Sequence, residues 1–130
     1  MERVILDTSV LIAGVAVGER FEAAISTVSI AELHFGLLVA DEDSRPIRAA
    51  RLGWIESHFS PLPVDDRVAR EWGRLQAAVA ARGAQPRRRA ADLAIAATAN
   101  VHQAMLLTHN LRDFNIISDL VRVEGASATT

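Results

Sequence analysis

The chain has 130 residues, half of them hydrophobic, and a formal net charge of −2, which fits one folded domain with a substantial core and argues against disorder. Cysteine is absent, which excludes disulfides, thiolate metal sites and cysteine nucleophiles. All 14 basic residues are arginine, so a P-loop lysine and every Schiff-base mechanism are excluded too.

Glu2 and Arg3 precede a short apolar run with no basic leader or cleavage site, and no run approaches the roughly 20 apolar residues of a membrane span. A cytoplasmic protein without a membrane anchor is expected. Residues 3–6 read as a buried strand and 8–14 as a short helix, with Asp7, Thr8 and Ser9 between two apolar runs. Ala24 to Val28 is expected as a second strand, followed by a helix from Ser29 to Ala40. In "DEDSRPI" Ser44 reads as a cap and Pro46 as a first-turn residue. That helix would bury Ile47, Ala50, Trp54 and Ile55. "SPLPV" reads as a short strand that its two prolines confine to an edge. Val68, Trp72, Leu75 and Val79 repeat at helical spacing between Asp65 and Arg82. Gly83 to Arg89 is a loop, Ala90 to Val101 a helix, "AMLLT" a central strand and "IISDLVRVE" a final strand. The domain is expected to end at residue 124, with 125–130 a disordered tail. Alternating strands and helices predict a single α/β domain with a mainly parallel sheet.

Four acids stand near the points where strands give way to helices: Asp7, Glu32, Asp92 and Asp113. Each has an ordinary structural explanation. Asp7 would cap the next helix, Ser29 and Glu32 would form a capping box, and Asp92 would sit at the positive end of a helix dipole. Asn110 and Asp113 would repeat the cap arrangement. Asp92 strains this explanation most, because it is the only charged residue in "AADLAIAATA". A helix apolar all round is normally buried.

Topology offers a sharper reading. In a parallel α/β sheet the carboxyl ends of the strands lie along one edge, where ligands bind. Four carboxylates from separate connections would then meet in one crevice, and like charges so close raise each other's pKa. A divalent cation relieves that repulsion, and an all-oxygen donor set suits Mg²⁺ or Mn²⁺ rather than zinc. Such ions polarise phosphoryl oxygens and activate water.

"LDTSVLI", "VSIAELHFG", "DLAIAATA" and "LTHNLRDF" resemble, in order and spacing, the motifs of PIN-domain ribonucleases, above all the VapC-type toxins of bacterial toxin–antitoxin pairs. The resemblance spans residues 4 to about 123. It implies a PIN-like fold, a central, mainly parallel sheet flanked by helices. It also implies a magnesium-dependent endoribonuclease, with Mn²⁺ able to substitute. A cognate VapB-type antitoxin would inhibit it, and it would form a homodimer and a higher heteromer with that antitoxin. The family's acidic quartet carries over onto Asp7, Glu32, Asp92 and Asp113 as catalytic and metal-holding residues. Thr8, Ser9, Thr108 and Asn110 match its supporting polar positions.

Arg87, Arg88 and Arg89 precede the Asp92 helix and are candidates for gripping RNA phosphates, with a solvated loop the alternative. The net charge of −2 becomes +2 once the four acids are set aside, so overall acidity does not exclude RNA. His34 and His109 read as ordinary hydrogen-bonded histidines, and Trp54 and Trp72 as core or dimer surface. A receiver domain would need an acidic pair and a lysine, and a dehalogenase-type phosphatase a second aspartate where Ser9 stands. The remaining rival is a catalytically silent PIN-like module that binds RNA or protein.

Overall fold

In the computed structural model, residues 1–14 and 17–126 are described. Four parallel strands form one sheet in the order β2-β1-β3-β4, with β1 at Glu2–Leu6, β2 at Phe21–Ala24, β3 at Met105–Thr108 and β4 at Val123–Gly125. Period-2 alternation divides the side chains between two faces. Ile5 and Leu106 join one buried cluster with Leu75, Val79, Leu93, Ile95, Phe114 and Ile117. Val4, Leu6, Met105 and Leu107 join another with Val10, Leu11, Leu33, Leu52 and Ile55. Both sheet faces are therefore covered, as a parallel sheet requires.

The helices are α1 (Thr8–Ala13), α2 (Thr27–Leu38), α3 (Arg45–His58), α4 (Asp66–Ala81) and α5 (Ala90–Val101). Gly14 ends α1 at φ +103°, a backbone conformation that favours glycine. Asp65 caps α4 by accepting from the Val68 N–H at 3.0 Å. In α5 every residue from Leu93 to Ala99 is buried, so its all-round apolar character does reflect an interior position.

Several expectations shift. The second strand lies at Phe21–Ala24 rather than 24–28, because Ser26 turns the chain into α2 by accepting from the Val28 N–H at 3.0 Å. Leu62 of "SPLPV" makes a single parallel bridge to Ser26. Pro61 and Pro63 on either side have no N–H, and the Leu62 N–H between them bonds to Ile25 O at 2.8 Å. Ser44 makes no side-chain cap bond; Asp41 Oδ1 instead accepts from the Ser44 N–H at 2.8 Å. The buried residues of α3 are Leu52 and Ile55, whereas Ile47, Ala50 and Trp54 are exposed. Residues 86–89 form a 3₁₀ turn inside the expected loop. "IISDLVRVE" is strand only at its end: Leu111–Ile117 is a 3₁₀ helix, and β4 begins at Val123. Gly125 pairs with Thr108 as the last residue of β4, and Ala126 just beyond the strand is buried, so the fold takes in the first two residues of the expected tail; 127–130 lie outside the described residues.

Candidate active site

Asp7 follows the last residue of β1, and its backbone N–H still bonds to Leu107 O at 2.9 Å. It occupies the N-cap position of α1, yet its side chain makes no cap bond. The carboxylate turns instead toward the end of β3. Ser9 and Thr108 both donate to Asp7 Oδ2, each at 2.8 Å. Both hydroxyl protons are thereby spent on one oxygen. The two hydroxyl oxygens are seated in turn, Ser9 Oγ accepting from the His109 N–H at 3.0 Å and Thr108 Oγ1 from the Asn110 N–H at 2.9 Å. Among the described residues Oδ1 takes no hydrogen bond and faces no fixed partner.

Glu32 sits in the second turn of α2, which starts at Thr27. The Ser29 N–H is bonded to Ser26 O at 3.0 Å, so the capping-box explanation fails. The Glu32 carboxylate accepts from Thr8 Oγ1 at 2.6 Å. Thr8 Oγ1 also lies 2.8 Å from Ser29 Oγ. A hydroxyl has one proton. Since Thr8 donates its own to Glu32, Ser29 must donate to Thr8, and the chain runs Ser29 to Thr8 to Glu32. Ser29 is fully buried. The sequence offered Ser29 only as the cap of a capping box; its place behind Thr8 arises from a contact between α1 and α2 that spacing along the chain does not signal.

Asp92 lies in the first turn of α5, where a carboxylate gains from the helix dipole, and receives no side-chain hydrogen bond among the described residues. Burial pushes its carboxyl up to about 6, and the charges of Asp7, Asp113 and Glu32 push in the same direction, against a smaller downward pull from Arg89. All three other acids thus stand close enough for their charge to be felt at Asp92. Asp113 is half-exposed in the 3₁₀ helix after β3, its N–H bonded to Asn110 O at 2.9 Å. Arg89 holds this segment, donating to Asp113 O at 2.6 Å with its guanidinium 3.8 Å from Oδ1. The Asn110 side chain makes no cap bond, so Asn110 contributes through its backbone.

Among the described residues no group of three or more His, Asp or Glu side chains is arranged, as it stands, to hold a metal ion. The acids are near enough to repel and too widely set for a three-ligand cage. The donor chemistry nevertheless fits Mg²⁺, a hard oxygen-seeking ion that keeps several waters and takes only one or two protein carboxylates directly. Asp7 Oδ1, Glu32 Oε2 and both carboxylate oxygens of Asp92 take no hydrogen bond among the described residues.

The neighbouring candidates separate. Arg87 and Arg88 make no side-chain hydrogen bond or ion pair among the described residues, whereas Arg89 is tied to Asp113. His34 is exposed and 3.6 Å from Glu56. His109 is exposed and enters the site through its backbone. Trp54 stacks on His58 at the surface, and Trp72 packs half-buried on the core.

Residues 4–120 match the PIN domain family. The chain belongs to that family. Ribonuclease VapC5 of Mycobacterium tuberculosis is 38% identical to this PIN domain, over 95% of this chain and 90% of the relative. The crystal structure of VapBC-5 from the same organism, a member of the VapBC family of toxin–antitoxin systems, superimposes with a TM-score of 0.79 at 33% identity, covering 96% of this chain and 98% of that one. VapBC2 from Rickettsia felis, bound to a DNA fragment from its promoter, shares the fold with a TM-score of 0.76 at 20% identity, covering 95% and 98% of the two chains. No helix among the described residues is long and apolar enough to cross a membrane.

Proposed function

We propose that this PIN domain is a metal-dependent endoribonuclease, the toxin of a VapBC-type pair, acting in the cytoplasm. Its substrate is RNA and its regulator a VapB-type antitoxin, with a homodimer as the working unit and a larger heteromer as the silenced one. The likeness to a protein named as a ribonuclease supports the reaction. The observation that carries it is the Asp92 carboxyl, raised to about 6 by burial and by three further carboxylates from other elements. Such a concentration of negative charge is costly unless a cation shares it.

Asp7, Glu32, Asp92 and Asp113 would hold Mg²⁺, with Mn²⁺ able to replace it. When bound, the ion would polarise a phosphoryl oxygen and activate water for in-line attack. The protein's own contribution is orientation. Ser9 and Thr108 fix one oxygen of Asp7 and leave the other without a hydrogen bond among the described residues. Thr8, fed by Ser29, does the same for Glu32. Asp92 stands on the most deeply buried helix, and Arg89 pins the segment that bears Asp113.

Incubating the purified chain with tRNA and rRNA tests the reading. Cleavage should appear with Mg²⁺, disappear with EDTA and return with Mn²⁺. Full activity in excess chelator would overturn the metal mechanism. RNA binding without cleavage in either metal would make the domain a silent binding module.

A further inference from the structure

The α4–α5 connection, the start of α5 and the Asp113 segment line an open cleft of about 530 Å³. Asp92 and Asp113 form one part of its wall, Arg88 and Arg89 another, and Gly83, Ala84 and Gln85 complete it. The volume falls in the roughly 300–1,000 Å³ range of sites that seat a small ligand. That suits one nucleotide and not a duplex. The walls combine two candidate acids with two arginines and an amide, and no aromatic ring is among them.

The three consecutive arginines are not equivalent here. Arg89 is occupied with Asp113, and Arg87 is not part of the wall. Arg88 lines the cleft, and its guanidinium has no partner among the described residues. Its backbone N–H bonds to Gln85 O at 3.2 Å, so the turn that places the cation also places the glutamine. The Gln85 side chain caps nothing and is exposed. Its amide offers a donor and an acceptor side by side, the pattern needed to read the edge of an unstacked base. A guanidinium beside it suits a phosphate.

We infer that this cleft is a subsite for one unstacked nucleotide of single-stranded RNA adjoining the scissile phosphate, with Arg88 on the nucleotide's phosphate and Gln85 on its base. The inference rests on the nuclease reading above and adds to it the determinant of sequence preference. Arg88 supplies sequence-independent grip, Gln85 supplies discrimination, and Arg87 supplies neither.

The test uses the full chain and its Arg87→Ala, Arg88→Ala and Gln85→Ala variants. Binding of a fluorescent single-stranded oligoribonucleotide pool is measured in EDTA, where cleavage is off. Arg88→Ala should weaken Kd several-fold and lower the slope of log Kd against log salt by about 0.7, one single-strand phosphate contact. Arg87→Ala should leave both near wild type. With Mg²⁺ present, sequencing the ends cut from a randomised RNA pool should show a preference at one position beside the cut. Gln85→Ala should flatten it, read on the products that the variant still releases. If wild type cuts no RNA, the nuclease reading itself falls. If wild type cuts but Arg87→Ala and Arg88→Ala behave alike, or Gln85→Ala keeps the preference, only the subsite is overturned. An Arg88→Ala protein with normal RNA affinity and altered antitoxin binding would also overturn it, making the cleft a protein contact.

Discussion

The two ends of the acidic crevice are built on opposite principles. At the Asp7 end the carboxylate is only 4% exposed, yet two hydroxyls donate to it and two backbone N–H groups hold those hydroxyls in place. At the Asp92 end the carboxylate receives no side-chain hydrogen bond among the described residues and carries its burial and the neighbouring charges against only a smaller pull from Arg89. Depth therefore matters less than the supply of donors. One end is a finished mount, and the other is a deficit that an incoming cation would fill.

Removing the deficit should give the largest effect. Asp92→Asn should abolish RNA cleavage and at the same time stabilise the protein at neutral pH without added metal. The sign follows from linkage. Folded Asp92 keeps its proton up to about pH 6 against a reference of 3.8. Between those values the folded state binds more protons, and stability falls as pH rises. Thermal melts should show the variant's advantage at pH 7.5 shrinking to nothing near pH 4. An equal advantage at both pH values would mean that charge is not its cause. Breaking the mount should come next. Thr108→Val deletes a donor to Asp7 and the acceptor for the Asn110 N–H, which should cost about 1–3 kcal/mol in urea unfolding. It should also lower kcat roughly 10–100-fold, as loss of a ligand-orienting partner does, while Thr108→Ser should recover most of both. The smallest effect should come one step further out. Ser29→Ala ends the donor chain behind Thr8, which should cost about 1 kcal/mol and raise the Mg²⁺ concentration for half-maximal cleavage a few-fold. An unchanged Mg²⁺ requirement would leave Ser29 a buried hydroxyl with no part in aiming Glu32.

The four acids stood out in the sequence because a carboxylate inside apolar text has few cheap explanations, and Asp7 and Asp92 both interrupt such text. Glu32 looked like a capping residue because Ser29 stands three residues before it. That explanation depended on where α2 begins, and the true cap, Ser26, was hidden inside an expected strand. Ile25 and Val28 extended the apolar run past the turn. The face of α3 was misplaced for a similar reason. Ile47 and Trp54 are hydrophobic but exposed, and hydrophobicity alone does not identify which stripe is covered. In "RDFNIISDLV" the buried residues Phe114, Ile117 and Val121 recur at intervals of three and four, a helical rhythm masked by the β-branched pair Ile116–Ile117. The hydroxyl relays lay beyond any reading of spacing, since Thr108 and Asp7 meet across 101 positions.

Asp92 opens a helix whose next seven residues are all buried. A helix so enclosed cannot tilt or slide without disturbing the packing of the whole domain, which makes distortion of this acid as costly as unfolding. An inhibitor that worked by bending the site would have to work against that cost. The practicable way to disarm such a protein is occlusion, a plug seated over an intact mechanism, and removing the plug returns a weapon already assembled.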